Sequence, residues 1–344
     1  MIAHSRTSIS KEEIEAVTTA VYNGNLTKGK GHFSLQEEFQ EVIGADFVHL
    51  SSSGTMAFFL ILKALDIKKG DEVLLPDYIC NSLLGPILNL SAIPVLYDNE
   101  KDNWISSPDS IYSKISHRTR VLVVNHTFGR AFTGLKLLSE TISSNISIVE
   151  DCCHVIIPRT SFLSQFIGKY SLCAFYSFNA TKILASGEGG AISSNDEIFA
   201  HSVRAIEIGD NLSDLSCTLA RVQLKKLNYF LDRRKEIATI YLEEFKEFVP
   251  NDCDVEYSIF YRFPLLISEN EEFWTNKHIA YRKGVDSLLS QKLEIKSQPN
   301  ALSVFERTVS LPIYPTLKST ELKLIIEETH KLILNGGKTP YGRL

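Results

Sequence analysis

Two stretches of the sequence decide the fold: residues 146–154, ISIVEDCCH, and residues 174–190, AFYSFNATKILASGEGG. Each begins with a short apolar run and then changes to charged, small or glycine residues. Short apolar runs bounded by turn residues are typical of strands that are covered on both faces. In such sheets, ligands bind beyond the carboxyl ends of the strands, so the residues after each run are the candidates for chemistry.

The same pattern recurs along most of the chain from residue 47 onwards. Strands are predicted at residues 47–50, 72–75, 95–97, 121–124, 146–149, 174–178 and 191–193. Helical patterns separate them, and the clearest is the apolar helix at residues 55–65. This alternation predicts an α/β fold with a mostly parallel central sheet between layers of helices.

The two ends of the chain are more helical. Ser10 and Glu13 fit a capping box that opens a helix ending near residue 23, and a polar loop is predicted at residues 26–32. Residues 211–234 are helical in character, a strand begins at Tyr261, and a last helix at 321–334 ends at Asn335-Gly336. We expect a large domain at residues 1–235 and a smaller α/β domain at 236–344; the sequence does not decide which of them carries the first helix.

Composition excludes several classes of protein. The 344 residues carry a net charge of -5, which gives no basic surface for nucleic acid. The longest apolar stretch, near residues 57–62, is too short to span a membrane, and the first residues lack a secretory pattern. Six cysteines without C-x-x-C spacing predict reduced thiols in a cytoplasmic protein, with no metal site expected at Cys152-Cys153.

Three strand ends carry candidate chemistry. Ser53-Gly54-Thr55 opens a helix directly after a strand, where free backbone N–H groups can hold a phosphate. The alternative is an ordinary strand-to-helix turn with Ser53 as the N-cap. Glu150-Asp151 ends another strand, where a buried carboxylate needs either a cation or a capping role.

The third strand end leads to Lys182. This lysine lies between a strand and the glycine-rich segment 187–190, so it can reach into a cleft. Burial and nearby positive charge would lower the pKa of such an amine and make it nucleophilic. A phosphate cradle, a strand-end acid and a cleft lysine on one sheet edge are together what a pyridoxal phosphate site needs.

The chain resembles the DegT/DnrJ/EryC1/StrS sugar aminotransferases, within the fold-type I aspartate aminotransferase superfamily. The resemblance runs nearly end to end. In the first half it rests on residues 25–29 (NLTKG), 53–55 (SGT), 70–73 (GDEV) with Pro76, 150–152 (EDC), 177–178 (SF) with Lys182, and 187–190 (GEGG). In the second half it rests on residues 223–224 (QL), Arg233 with Tyr241, 261–264 (YRFP) and 310–315 (SLPIYP).

The resemblance implies a role for each of these strand ends. Lys182 would carry pyridoxal 5'-phosphate covalently, and Asp151 would pair with the ring nitrogen of the cofactor. The residues implied in binding the phosphate are Ser177, Gly54, Thr55 and the backbone of Met56. His154 matches a family position beside the ring; the alternative is a histidine at a helix start that bonds locally.

Two positions depart from the family pattern. Where the family has an aromatic residue stacked on the cofactor ring, this chain has Cys80; either Cys80 packs on the ring or Tyr78 substitutes for it. The segment around Gly209 is shortened. In the family, its asparagine reaches the cofactor phosphate of the neighbouring subunit, which makes Asn211 the candidate here.

The function that follows from the resemblance is amino transfer from an amino acid, by family habit glutamate, to a nucleotide-linked keto-sugar. It would serve amino-sugar biosynthesis for a surface polysaccharide or a secondary metabolite, in a cytoplasmic homodimer with shared sites. Related dehydratases carry histidine in place of the lysine, so Lys182 argues against dehydration. A binding protein without turnover would not need the lysine, the acid and the cradle together. An unrelated nucleotide-binding protein would need the motif G-x-G-x-x-G after the first strand, and the sequence does not have it there. The sequence does not specify the sugar, the nucleotide or the ring carbon.

Overall fold

A single sheet holds the seven strands that the sequence predicts between residues 47 and 193. The computed structural model describes residues 1–206, 209–250, 253–267 and 271–335, and within these ranges seven strands form the central sheet. They are β1 (Phe47–Ser51), β2 (Glu72–Pro76), β3 (Ile93–Tyr97), β4 (Thr119–Asn125), β5 (Ser147–Asp151), β6 (Cys173–Ser177) and β7 (Gly190–Ser194). Their spatial order is β1-β7-β6-β5-β4-β2-β3. The predicted α/β class and all seven predicted strands are confirmed.

Strand direction brings the candidate residues to one edge of the sheet. The strands β2 to β6 run parallel, with Val123 beside Val149 and Asp151 beside Phe175. β7 runs antiparallel to both of its neighbours, β6 and β1. Because two reversals restore the direction, β1 ends at the same edge as β5 and β6.

Helices cover both faces of this sheet. α3 (Gly54–Ala64), α4 (Leu84–Asn89) and α7 (Glu197–Arg204) lie on one face, and α2 (Lys30–Ile43) and α8 (Asp214–Lys225) on the other. Successive strand residues alternate between the two cores: Phe175 joins the α3 side, whereas Ala174 and Tyr176 join the α2 side. Both faces are therefore dry, which explains why the strands read as unbroken apolar runs.

The remaining elements of the first 250 residues connect or flank the sheet. They are α1 (Lys11–Tyr22), α5 (Pro108–Lys114), α6 (Leu135–Thr141), α9 (Leu227–Phe245) and 3-10 turns at Asn81–Leu83, Thr127–Gly129, Phe162–Gln165 and Lys246–Phe248. The predicted capping box is present at α1. α1 packs against α8, where Gln223 Nε2 donates a hydrogen bond to Glu13 Oε1 at 2.7 Å.

The C-terminal part has its own small sheet and core. β8 (Phe263–Leu266) and β9 (Thr308–Leu311) pair antiparallel, among α10 (Glu272–Thr275), α11 (Leu289–Lys292), α12 (Pro299–Arg307) and α13 (Ser319–Asn335). Tyr241, Phe263 and Ile325 share this core. The division at residue 235 stays a prediction, and that residue lies inside α9.

Two elements begin at other residues than the sequence predicts. The predicted polar loop at 26–32 was too long, because α2 begins at Lys30 and His32 is buried within it. The strand predicted from Tyr261 begins at Phe263. α13 confirms the last predicted helix, while Gly336 lies outside the described residues. Among the described residues, no helix combines the length and the apolar character needed to cross a membrane.

Candidate active site

A cavity of about 430 Å³ opens at the edge of the sheet where β1, β5 and β6 end. Asp151 and Lys182 both line it. Of the other predicted site residues, those that line it are Gly54, Thr55, Cys80, His154 and Ser177. The fold thus collects strand ends that are far apart in the chain into a single concave site.

The turn from β1 into α3 forms one wall. Ser53 Oγ accepts a hydrogen bond from the backbone N–H of Met56 at 3.1 Å, so Ser53 is an N-cap, as the alternative interpretation proposed. The N–H groups that open a helix have no partner within it, so Gly54 and Thr55 still present theirs at the cavity. Because the cap already uses the N–H of Met56, a phosphate role for Met56 stays a prediction.

Glycine is needed twice where this turn meets the neighbouring strands. A Cβ at Gly54 would lie 3.0 Å from Ser177 Cβ and 3.1 Å from Cys153 Sγ. A Cβ at Gly190, the first residue of β7, would lie 2.5 Å from the backbone carbon of Ser53. The absence of side chains lets the backbone approach closely, and this keeps the helix start open toward the cavity.

Asp151 is the strand-end acid that faces the cavity. It is 7% exposed, and its Oδ1 accepts a hydrogen bond from the backbone N–H of Cys153 at 2.9 Å. Burial raises the pKa of Asp151, and this outweighs the opposing hydrogen bonds from Cys153 and the positive charge of Lys182. The carboxylate is therefore incompletely compensated, and a further cation in the cavity would stabilise it.

Glu150 has a different partner. Its Oε2 lies 2.8 Å from His126 Nε2, and it also accepts hydrogen bonds from the Ser171 hydroxyl and the Gly168 N–H. Glu150, His126 and Cys152 place possible metal ligands within 4.8 Å of one another. However, His126 Nδ1 accepts from the Phe132 N–H at 3.1 Å, so its proton sits on Nε2 and is donated to Glu150. These groups satisfy one another as a buried polar network.

Lys182 lies in the turn after β6 and is half-buried. Burial acts to lower the pKa of its amine, but acidic neighbours outweigh burial and raise that pKa above its usual value. Those neighbours, from the largest effect down, are Tyr261, Cys153, Asp151 and Cys80. The expectation that the surroundings lower this pKa was wrong for the free lysine, because its acidic neighbours outweigh burial.

Glycines shape the segment after Lys182. Gly187 and Gly189 have φ values of +87° and +153°, which residues with a Cβ rarely adopt. The Ala180 N–H donates to the Gly187 carbonyl at 2.9 Å, which closes the loop around the lysine. The glycine-rich signal therefore marks backbone geometry that holds Lys182 at the cavity.

His154 forms contacts that make it a neutral side chain. Its ring stacks on Tyr261 with centroids 4.3 Å apart, and its Nδ1 accepts from the Phe128 N–H at 3.4 Å. Burial, together with the positive charges of Lys182 and Arg262, lowers the pKa of His154 well below its usual value. The local bond of the alternative interpretation is present, although no helix begins here, and the residue also borders the cavity.

Tyr78 and Cys80 both border the cavity but differ in exposure. Tyr78 is fully buried, with its ring edge-to-face against Phe128 at 6.1 Å. Cys80 is exposed, and its Sγ lies 3.2 Å from Ser82 Oγ. Both residues border the space that a ring could occupy, and which of them meets it stays a prediction.

Comparison with known proteins identifies the family. The sequence model of the DegT/DnrJ/EryC1/StrS aminotransferase family matches residues 7–330. The chain belongs to this family. It is 26% identical, over an alignment of 379 residues, to the spore coat polysaccharide biosynthesis protein SpsC of Bacillus subtilis (strain 168), covering 96% of this chain and 97% of SpsC.

Solved structures share the fold. Aminotransferase TlmJ from Streptoalloteichus hindustanus superposes with a TM-score of 0.87 at 22% identity, covering 97% of this chain and 99% of TlmJ. Helicobacter pylori PseC, an aminotransferase involved in the biosynthesis of pseudoaminic acid, gives a TM-score of 0.84 at 20% identity, with 97% and 99% coverage. The chain is thus a pyridoxal-phosphate-dependent aminotransferase of the DegT/DnrJ/EryC1/StrS family.

The cavity fits the cofactor of this family. Its volume lies in the range of pockets for cofactors and small molecules. It offers an open helix start for a phosphate, a lysine amine, and in Asp151 a buried acid that lacks full compensation. A protonated ring nitrogen is the kind of cation that such an acid needs.

By the family pattern, Asn211 would reach the cofactor phosphate of the neighbouring subunit. Its side chain is exposed in this chain. Its Nδ2 donates to the Gly209 carbonyl at 3.4 Å. Next to it, Asp210 accepts hydrogen bonds from the Ser51 hydroxyl at 2.5 Å and the Ser52 N–H at 3.0 Å. Asp210 thus fixes this segment to the end of β1, a contact that sequence reasoning missed; the role of Asn211 stays a prediction.

Tyr261 and Arg262 lie near the lysine, and the sequence assigned neither of them a role. Arg262 lines the cavity, and its Nη1 donates to the carbonyls of Lys283 at 3.2 Å and Gly284 at 2.8 Å. The Lys182 amine lies 5.1 Å from the centroid of the Tyr261 ring. Their family string was visible in the sequence, but nothing local in it indicated that they approach Lys182.

Proposed function

We propose that this aminotransferase moves an amino group from an amino acid, with glutamate as the donor, to a nucleotide-linked keto-sugar. The product would serve amino-sugar biosynthesis for a surface polysaccharide or a secondary metabolite. The observation that carries the proposal is that Lys182, Asp151 and the start of α3 border the same cavity.

Each wall of the cavity has a task in this proposal. Pyridoxal phosphate, when bound, supplies an electron sink that lets the α-carbon of an amino acid lose a proton. The Lys182 amine holds the cofactor and, once released, moves that proton as a positioned base. The Asp151 carboxylate keeps the ring nitrogen protonated.

The remaining predicted residues bind and orient. The N–H groups of Gly54 and Thr55 and the hydroxyl of Ser177 hold the phosphate at the positive end of α3. His154, neutral and in a stack, borders the ring, and Cys80 meets it from the exposed side. None of these groups needs to change its protonation state during turnover.

The names of similar proteins support a sugar acceptor. SpsC is named for spore coat polysaccharide biosynthesis, and PseC for the biosynthesis of pseudoaminic acid. We further propose a cytoplasmic homodimer in which Asn211 of each chain reaches the phosphate of the neighbouring site. The exposure of Asn211 suits that role.

The test has two stages. First, the cofactor-loaded protein is mixed with single amino acids, and conversion to the pyridoxamine form is followed by absorbance; glutamate is expected to convert it fastest. The pyridoxamine form is then freed of 2-oxoglutarate, which would reverse the donor step, and mixed with a panel of nucleotide-linked keto-sugars and, as controls, simple 2-oxo acids other than 2-oxoglutarate. Faster return of the original spectrum with a keto-sugar supports the proposal. Return with 2-oxo acids alone would refute a sugar acceptor.

A further inference from the structure

Tyr261 is the aromatic residue against which the Lys182 amine rests. Lys182 Nζ lies over its ring, 5.1 Å from the centroid, within the range of a cation–π contact. The same ring stacks on His154 at 4.3 Å with an interplanar angle of 19°. Tyr261 therefore contacts two residues that border the cavity.

The surroundings of Tyr261 are unusual for a buried phenol. The residue is 5% exposed, and burial alone would raise its pKa. The positive charges of Lys182 and Arg262 outweigh burial and lower the pKa of Tyr261 to about 8. The Arg262 guanidinium carbon lies 5.5 Å from the ring centroid. The phenol and the lysine thus stabilise each other's charged forms.

In the proposed reaction the Lys182 amine is free whenever the substrate nitrogen has replaced it on the cofactor. Once the amine has taken up the α-carbon proton it carries a positive charge, and the ring face can hold that ammonium nearby until it gives the proton up. A freely moving, solvated amine would lose orientation, and orientation is a large part of enzymatic rate enhancement.

We propose that Tyr261 is a positioning residue that receives the Lys182 amine whenever the lysine is not attached to the cofactor. The ring face holds the ammonium, and the stack on His154 keeps the ring in place. This inference rests on the proposed function for its purpose in catalysis, but the contact itself can be tested without the cofactor. The competing account is that Tyr261 only fills space between β8 and the cavity.

The first experiment uses the cofactor-free protein and the variants Tyr261→Leu and Tyr261→Phe. Trace acetylation with isotope-labelled acetic anhydride, read by mass spectrometry of the Lys182 peptide across pH, reports the pKa of that amine. Loss of the ring lowers the pKa of the Lys182 amine. At pH values below that pKa, Lys182 in Tyr261→Leu is therefore expected to be acetylated about fivefold to tenfold faster than in wild type. Tyr261→Phe keeps the ring face but loses the phenol oxygen, whose charge also raises the pKa of Lys182, so its rate is expected to lie between those of wild type and Tyr261→Leu. The matched control is Tyr281→Phe, a tyrosine in the C-terminal core that bonds Thr329.

The reciprocal experiment protects the inference if Tyr261→Leu fails to fold. Phenolate absorbance is titrated in wild type and Lys182→Met, with Tyr261→Phe subtracted to isolate the signal of Tyr261. Removing the ammonium is expected to move the ionisation of Tyr261 to higher pH. The remaining charged or titratable groups around the pair are Arg262, Asp151, Cys153, Cys80 and His154, and they are unchanged. Unchanged titrations of both Lys182 and Tyr261 would overturn the inference.

A third readout separates this inference from the proposed function. Borohydride trapping should still find the cofactor on Lys182 in Tyr261→Leu, while conversion by glutamate slows about tenfold. If wild type traps no cofactor on Lys182, the proposed function fails, yet the amine–phenol pairing in the cofactor-free protein is judged separately. Normal conversion by Tyr261→Leu would overturn the positioning role alone.

Discussion

Asp151 and Lys182 border the same cavity although one ends β5 and the other follows β6, and each shifts the acidity of the other. The ammonium of Lys182 opposes the raised pKa of Asp151, and the carboxylate contributes to the raised pKa of the lysine. Parallel neighbouring strands bring them together, because their carboxyl ends meet at one edge. A cofactor with one electrophilic carbon and one basic ring nitrogen can lie between them.

Replacement of Asp151 by asparagine should separate binding from turnover. Asp151→Asn keeps the shape of the side chain but cannot hold a proton on the ring nitrogen by charge. We expect cofactor binding to persist and turnover to fall by about 10²-fold to 10³-fold, the scale of losing one preorganised electrostatic group. The measurement is kcat with glutamate. Asp71→Asn, which removes a carboxylate 3.7 Å from Arg120, is the control expected to retain normal activity.

The same substitution should change how stability depends on pH. Because burial raises the folded-state pKa of Asp151, the folded protein holds this proton more tightly than the unfolded chain does. That contribution is present at low pH and is lost as pH rises through the folded-state pKa. Cofactor-free Asp151→Asn should therefore gain stability relative to wild type between about pH 4 and pH 7. Urea unfolding of both proteins at these two pH values tests this. If the stability of Asp151→Asn relative to wild type is the same at both pH values, or smaller at the higher one, burial does not raise the pKa of Asp151.

Gly190→Ala should damage both the fold and the phosphate wall. The added Cβ would lie 2.5 Å from a backbone carbon of Ser53, and backbone cannot rotate away as a side chain can. We expect a loss of about 1–3 kcal/mol in the free energy of unfolding, together with weaker cofactor binding. Denaturant titration and cofactor titration measure the two effects. Wild-type affinity in a clearly destabilised variant would show that the turn does not form the phosphate site.

Glu13 should contribute stability that acid removes. Burial would raise its pKa, but hydrogen bonds from Ser10 and Lys226 outweigh burial and lower the pKa to about 2. A depressed folded-state pKa gives stability that is complete above the unfolded value near 4.5 and is lost as pH falls toward about 2. Glu13→Gln should lose about 2 kcal/mol at neutral pH, and the difference should shrink with acid. The control is Glu12→Gln, whose carboxylate also meets Lys226 but is 69% exposed, and which should cost under about 1 kcal/mol.

The sheet was predictable because burial on both faces leaves a strong signal. β2, with the sequence EVLLP, and β4, with TRVLVVN, are almost wholly buried, and their apolar runs stand out from turn residues. The direction of β7 could not be predicted, because an apolar run reads the same for parallel and antiparallel pairing. α2 was missed because Gly29 and Gly31 at its start look like loop, although Leu35 and Phe39 carry its buried face.

The site was predictable where a residue follows a strand, and not elsewhere. Gly54, Asp151 and Lys182 could be placed by the general rule for strand ends. Tyr261 comes from the segment before β8 and meets Lys182 only through the packing of two regions distant in the chain. The raised pKa of the free lysine was also out of reach, since its causes are side chains gathered from three separate segments.

Chemical trapping identifies the lysine that carries the cofactor. The cofactor-loaded protein is reduced with borohydride, digested and analysed by mass spectrometry, beside Lys182→Arg treated identically. We predict the reduced cofactor on the peptide containing Lys182, none in the variant, and a fall in turnover of at least about 10³-fold. Cofactor fixed to a different lysine, or undiminished turnover by Lys182→Arg, would show that Lys182 does not carry the cofactor.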